Sequence, residues 1–228
     1  MAEIDIKRGL QELWGLLDDT QRTVICERAI VQSYHKGESL YKVGEDSRYL
    51  VCVLSGRIKL EKLGIGGRMQ ITRMFRPGDN FGYRSYFANQ DHQTEAVAMA
   101  ASQVALVPMK LIETICLQNP DLAMYFVRNL ACDLGNSDER TINLTQKHIR
   151  GRLAESILLL IDKYGFESDG QTINAALPRE DLAALSNMTT SNAIRTLGSL
   201  VSEGIIEVEG RRIRVLNAEK LRHVNVNG

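Results

Sequence analysis

The sequence predicts an α+β protein in three parts: a block of short strands, a long helix, and a C-terminal helix–turn–helix with a hairpin wing. Three observations carry that expectation. Residues 32–107 read as short apolar runs broken by glycines. Across residues 123–148 one stripe recurs at alternating steps of four and three. Residues 177–200 form two helical patterns joined at Ser186-Asn187-Met188.

Ahead of the strands, residues 8–29 have helical spacing, with Leu10, Leu13, Trp14 and Leu17, then Val24 and Ile25. The strand runs are 32–35, 39–41, 49–55, 57–62, 69–75, 80–82 and 95–107. Gly37, Gly44, Gly56, Gly64, Gly66, Gly67, Gly78 and Gly82 punctuate them, as tight turns require. Many short strands at such spacing mean a sandwich, a barrel or a roll. Residues 50–54 are apolar without a break, which predicts a strand buried on both faces.

The long helix starts at Pro120, with Asn119 as N-cap and Asp121 as a favourable first-turn acid. Its stripe is Ala123, Val127, Leu130, Leu134, Ser137, Thr141, Leu144 and His148, a heptad seam. A helix packed on its own sheet is one reading. The seam is longer than a small core needs, which favours a parallel dimer joined through Val127, Leu130, Leu134, Ser137, Thr141 and Leu144. Another helix spans 152–164, built on Leu153, Ile157, Leu160 and Ile161 and ended by Gly165.

The C-terminal third is the most specific. Arg179-Glu180-Asp181 opens a helix whose Leu182, Ala183 and Leu185 face inward. Asn187 tolerates the left-handed turn and Thr189 is a good N-cap. Ala193, Ile194, Leu197 and Leu200 form the buried face of the second helix, leaving Thr190, Ser191, Asn192 and Arg195 outside. Short side chains near a helix start admit the backbone to a major groove, and arginine pairs with guanine O6 and N7. Residues 204–216 read as a two-stranded wing around Gly210, with Arg211, Arg212 and Arg214 placed for phosphates. The candidate DNA contacts are Arg179, Thr189, Thr190, Ser191, Asn192, Arg195, Arg211 and Arg212.

Charge limits that reading. Lys and Arg number 28 and Asp and Glu number 28, which excludes a strongly basic protein coating nucleic acid without preference. From residue 150 onward the count is ten of each sign, so DNA binding rests on pattern. Cys26, Cys52, Cys116 and Cys132 form no C-x-x-C pair and read as reduced structural thiols. The uncharged stretch between Glu95 and Lys110 is too short to span a bilayer, and residues 1–7 hold two acids and no apolar core. A cytoplasmic protein without a membrane partner is expected. With no Gly-x-Ser-x-Gly, P-loop, His-Glu-x-x-His or carboxylate pair, an enzyme is not expected. Gly64-Ile65-Gly66-Gly67 reads as a hairpin turn, not a phosphate cradle.

Several pieces, in order and spacing, resemble the Crp/Fnr family of bacterial transcription regulators. They are residues 35–38 (His-Lys-Gly-Glu), Gly44-Glu45, 54–60 (Leu-Ser-Gly-Arg-Ile-Lys-Leu), 76–82 (Arg-Pro-Gly-Asp-Asn-Phe-Gly), 119–121 (Asn-Pro-Asp) and 177–182 (Leu-Pro-Arg-Glu-Asp-Leu). The resemblance covers roughly residues 30–220. It implies a cyclic-nucleotide-binding-like double-stranded β-roll, jelly-roll-like with flanking helices, over residues 1–118. A dimerisation helix over 119–148 and a winged helix–turn–helix over 149–228 would follow. It implies a homodimer reading a near-palindromic site on double-stranded DNA, with RNA polymerase as a further partner. A small-molecule effector sensed in the roll would be relayed along the dimer helix.

The departures are equally informative. Family members that bind cyclic AMP carry Gly-Glu-Leu, and Arg-Ser or Arg-Thr about ten residues on, the arginine neutralising the phosphate. Here Gly82 precedes Tyr83 and Arg84, Gln93-Thr94-Glu95 stands at the arginine position, and Ser137-Asp138 replaces the hydroxyl pair. These three changes disfavour cyclic AMP. An iron–sulfur cluster of the Fnr kind needs several N-terminal cysteines, and only Cys26 is there. Haem stays open, with His35, His92, His148, His223 and seven methionines as axial candidates. The resemblance places an effector pocket at Phe81, Gly82, Tyr83, Arg84, Ser85, Gln93 and Thr94, closed by Ser137, Asp138 and Thr141. Relatives usually carry an acid two or three positions before the reading arginine, whereas 190–194 has none, so a different half-site is expected. The competing class is a ligand-, redox- or haem-sensing protein whose winged helix docks another protein. Effector, half-site, regulon and the sign of regulation are not written in the sequence.

Overall fold

The computed structural model describes residues 2–228. Two helices come first, α1 (Ala2–Leu16) and α2 (Asp19–Arg28). The single helical stretch expected over 8–29 is thus divided. Asp18 ends it by capping α2: its carboxylate accepts from the Gln21 N–H at 2.8 Å, and the Gln21 side chain accepts from the Asp18 N–H at 3.2 Å. Ile6, Leu10, Leu13, Leu17 and Ile25 are buried in one cluster with the strands.

The strand block contains β1 (Ile30–Tyr34), β2 (Ser39–Tyr41), β3 (Tyr49–Ser55), β4 (Ile58–Leu63), β5 (Met69–Phe75) and β6 (Asn80–Phe81). A short helix, α3 (Tyr83–Phe87), precedes β7 (Glu95–Ala98) and β8 (Ser102–Pro108). The strands form two four-stranded sheets, ordered β1-β8-β3-β6 and β2-β7-β4-β5. β3 is buried on both sides, as its apolar run predicts. Leu50, Cys52 and Leu54 join the helix-side cluster, while Val51 and Val53 join the cluster containing Phe75, Phe81, Ala96 and Val104.

The run 95–107, read as one strand, is two. β7 pairs with β2 and β4, and β8 pairs with β1 and β3, so the chain changes sheets at residues 99–101. Gly56 makes this corner possible. Its φ is +82°, and a Cβ there would lie 2.2 Å from Ser102 Oγ and 2.5 Å from the Ala101 carbonyl. Ser102 Oγ donates to the Ala100 carbonyl at 2.8 Å and accepts from the Arg57 N–H at 3.1 Å.

Then come α4 (Met109–Gln118), α5 (Pro120–Gln146) and α6 (Ile149–Tyr164). α5 opens as expected, the Asn119 side chain accepting from the Leu122 N–H at 3.2 Å. Leu122 and Phe126 are buried, and Leu130 packs half-buried against the same cluster. Met124, Val127, Leu134 and Ile142 are exposed. The middle of α5 is Gly135-Asn136-Ser137-Asp138, four weak helix formers in succession.

The chain ends with α7 (Arg179–Leu185), α8 (Thr190–Ser202), β9 (Ile206–Glu209), β10 (Arg212–Val215) and α9 (Ala218–Asn227). Bridges Phe166 to Ile173 and Thr172 to Arg214 add a strip to the two-stranded wing. Contacts divide the chain into two units, residues 1–62 with 72–135, and residues 63–71 with 136–228. Among the described residues no helix is long and apolar enough to cross a membrane.

Candidate nucleic-acid interface and effector region

In the second unit, α7 and α8 are joined by Asn187 at φ +50°. Ser186 Oγ lies within hydrogen-bonding distance of both the Leu182 carbonyl and Ser156 Oγ, each at 2.8 Å, which fixes the end of α7 on α6. Thr189 caps α8, its hydroxyl accepting from the Asn192 N–H at 3.2 Å. Ala193, Thr196, Leu197 and Leu200 are the buried face of α8. Ile194, expected on that face, is 53% exposed. The correction follows from the wheel: at 3.6 residues per turn, a face centred on Thr196 and Leu197 leaves Ile194 outside it.

The outer face of α8 is Ser191, Ile194, Arg195 and Gly198, all exposed, with Thr190 and Asn192 half-buried beside it. Arg195 donates to the Asn192 side-chain carbonyl at 2.7 Å, so Asn192, a candidate DNA contact from its position, here orients the arginine. Farther along, Arg150 at the start of α6 donates to Glu203 Oε1 at 2.6 Å and Ser199 Oγ at 3.1 Å. The Arg150 guanidinium and the Ser199 hydroxyl hold the Glu203 carboxyl below the usual range. Arg140 donates to the carbonyls of Ile71 at 2.6 Å and Leu185 at 3.2 Å, tying the lower half of α5 to α7 within this unit.

The predicted basic residues of the wing have different tasks. Arg179 donates to the Gly210 carbonyl at 2.5 Å, linking the start of α7 to the wing turn. Arg212 pairs with Glu167, and Arg214 donates to Gln171 at 2.8 Å and lies 3.6 Å from Glu207. Arg211 is exposed in the turn itself. Asp169 braces the base of the wing, accepting from the Thr172 hydroxyl and from the N–H groups of Gln171 and Thr172. These bonds hold its carboxyl down to about 2.

In the first unit, the expected pocket loop is largely packed into protein. Phe81 stacks on Phe75 with centroids 4.2 Å apart, Tyr41 lies 6.2 Å from Phe81, and His92 stacks on Tyr41 at 3.5 Å. This aromatic ladder threads the roll interior. Gly82, at φ +99°, passes so close to β3 that a Cβ would lie 2.6 Å from the Tyr49 carbonyl. Tyr83 is buried against Phe126 at 5.1 Å, and its hydroxyl bonds Asp133, which accepts from Arg73 at 2.5 Å. Burial first, and Asp133 second, push the Tyr83 hydroxyl above its ordinary range. Ser85 is buried, Thr94 is half-buried and bonded to Tyr41, and Arg84 and Gln93 are exposed. Ser137, Asp138 and Thr141 belong to the second unit and are exposed on α5.

His92 is buried under Tyr41, and burial lowers its proton affinity. Beside this pair a cleft of about 470 Å³ is lined by Tyr34, Tyr41, Asp46, Arg48, Tyr49 and His92, a surface the sequence reading did not single out. Among the described residues the four cysteines form no disulfide. Burial pushes Cys52 up to about 12, and burial with Glu113 pushes Cys116 up to about 11, which keeps both as neutral packing groups.

The cyclic nucleotide-binding domain family model matches residues 31–119, and the Crp-like helix-turn-helix domain model matches residues 151–224. The residues present do not fit a cyclic nucleotide. Glu95, beside the phosphate position, is a half-buried carboxylate bonded to Ser39, and the Phe75–Phe81 stack occupies the interior. Among curated proteins, the chain is 27% identical over 187 residues to Electron transport regulator A of Shewanella oneidensis, covering 82% of this chain and 74% of that one. It is 26% identical over 189 residues to the Fumarate and nitrate reduction regulatory protein of Vibrio cholerae, covering 82% and 74%. Among solved structures, FixK2 from Bradyrhizobium japonicum superposes with a TM-score of 0.79 at 25% identity, covering 88% of this chain and 98% of that one. With a β-roll, a long α5 and a Crp-like reading domain in family order, this chain belongs to the Crp/Fnr family and is a DNA-binding transcription regulator.

Proposed function

We propose that the protein acts as a homodimer, packed along α5, that reads a near-palindromic DNA site with one α8 in each half-site. The observation that carries this is the outer face of α8, where Asn192 pre-orients Arg195 toward open space. Val127 and Leu134, exposed on α5 with Met124 and Ile142, support the dimer; Ser137, Thr141 and half-buried Leu144 continue its seam. Two-fold symmetry then demands half-site centres about one helical turn apart, roughly 34–36 Å. Arg195 takes the base edge, Arg211 and Ser191 the neighbouring backbone, and Arg179 holds the wing that presents Arg211. RNA polymerase is the expected protein partner, and the cytoplasm the expected compartment.

An effector event in the roll would bias the packing of the two α5 helices and so the spacing of the two α8 helices. The Tyr83–Asp133–Arg73 contact gives α3 a grip on α5 within the first unit, which supports α3 as the sensing element. Cyclic AMP is not the proposed effector.

The test is retention of fragmented genomic DNA by the purified, ligand-free protein, followed by sequencing of the retained fragments. The expected result is an enriched two-fold site whose binding weakens steeply with salt, as phosphate contacts require. Enrichment without two-fold symmetry would overturn the dimer reading. Salt-insensitive capture of a protein in place of DNA would favour a docking role for the winged helix.

A further inference from the structure

Two features of the α8 outer face are unexplained by the contacts assigned so far. Ile194 is a branched aliphatic residue, 53% exposed, next to Arg195. One such residue on a surface is ordinary. This one shares its face with a glycine that folding does not need. Gly198 lies in mid-helix, where glycine costs about 1 kcal/mol relative to alanine. It has no left-handed φ, and a Cβ built there would meet nothing within 4 Å. Neither a turn nor internal packing therefore asks for glycine. What it does provide is a helix surface bare enough for another molecule to reach the backbone. Ser191, on the same face, is also small. The face is thus shallow at both ends, with an aliphatic group and a guanidinium side by side between them.

The major groove offers partners of these two kinds. Guanine presents two acceptors to arginine, and thymine presents an apolar C5-methyl group. We propose that Ile194 is a specificity-determining residue that packs on a thymine C5-methyl in the same half-site as the guanine read by Arg195, and that Gly198 allows α8 to seat deeply enough for that contact. The inference rests on the DNA-reading role of α8 and deepens it. It also gives physical content to the expectation that the half-site differs from those of relatives with an acid on this helix.

The experiment starts from a site selected from amplified, unmethylated DNA, so that thymine is the sole source of the methyl group. Each thymine of the half-site is replaced in turn by deoxyuridine, which removes the methyl and leaves the pairing intact. One position should weaken wild-type binding roughly fourfold per half-site, the worth of about one buried methyl. Ile194→Ala should bind thymine and deoxyuridine versions equally, and Ile194→Val should keep part of the discrimination. Gly198→Ala should melt at the same temperature or higher and yet bind the selected site more weakly. Deoxyuridine discrimination that survives in Ile194→Ala, or its absence in the wild type, overturns the proposal while the DNA-reading role stands. Unchanged affinity in Gly198→Ala overturns the seating role of the glycine. A wild-type protein that selects no DNA sequence at all overturns the underlying reading, and this one with it.

Discussion

The roll interior and the reading face of α8 solve opposite problems. In the roll, several groups that the resemblance assigned to an effector are turned inward and occupied, Phe81 on Phe75 and Tyr83 on Phe126 and Asp133, while Arg84 and Gln93 stay exposed. On α8 the polar groups are turned outward and held at readiness by short internal tethers, Thr189 to the Asn192 N–H and Asn192 to Arg195. Burial on one side supplies stability, and exposure on the other leaves affinity to be realised on binding. The difference teaches that one chain can spend aromatic and polar groups on packing in its roll while its reading helix keeps such groups at the surface.

Four measurements would break or sharpen this contrast. The largest effect is expected inside the roll. Ile58, fully buried in the cluster with Phe75 and Phe81, should cost about 2–5 kcal/mol as Ile58→Ala, read as a shift of the urea midpoint. A cost under 1 kcal/mol would mean that this interior is loosely packed. Second, Arg195→Ala should cost about 1–3 kcal/mol in binding the selected site and flatten preference at one base pair. Its melting temperature should stay where it is; uniform weakening on all sequences would make Arg195 a phosphate contact. Third, Thr189→Ala should fall between the two classes, losing about 1 kcal/mol of stability through the cap and some affinity as Arg195 loses its tether's footing.

The smallest effect is a pH slope. His92 is held neutral chiefly by burial, with Arg84 acting in the same direction and Glu45 and Asp91 against it. The folded imidazole binds a proton less readily than the unfolded one. Its contribution to stability is therefore complete above the unfolded imidazole value, about 6.5, and is lost progressively as pH falls below that. His92→Phe preserves the ring against Tyr41 and should remove that slope from thermal melts between mildly acid and neutral pH. An unchanged slope would assign it to other groups.

Much of the architecture was legible because it rests on local chemistry. The run 50–54 could only be a strand buried on both faces, Asn119-Pro120 could only open a helix, and Asn187 could take the left-handed turn. What escaped depended on partners distant in sequence or on a single cap. Asp18-x-x-Gln21 is a capping box, but it sits inside an apolar helical pattern that runs on both sides of it and hides the break. The sheet change at 99–101 has no strong breaker; it needs Gly56, more than forty residues upstream, to make room. α3, α4 and α9 are short and take their amphipathic sense from surfaces that only the folded chain supplies. At the candidate site, Arg195 and Thr189 were readable from type and position. Ile194 was not, because an apolar side chain on a reading helix looks like core until the wheel is fixed by Thr196 and Leu197. Leu130 is the converse case: read into the dimer seam, it continues the inward line of Leu122 and Phe126.

The four weak helix formers in the middle of α5 make its centre the least self-sustaining stretch of an unbroken helix. Gly135-Asn136-Ser137-Asp138 sits where the division between the two units falls. Backbone amides there should exchange with deuterium ahead of those in either half of the helix, since fraying from this point sacrifices little side-chain packing. Gly135→Ala, whose added methyl meets open space, should slow that exchange.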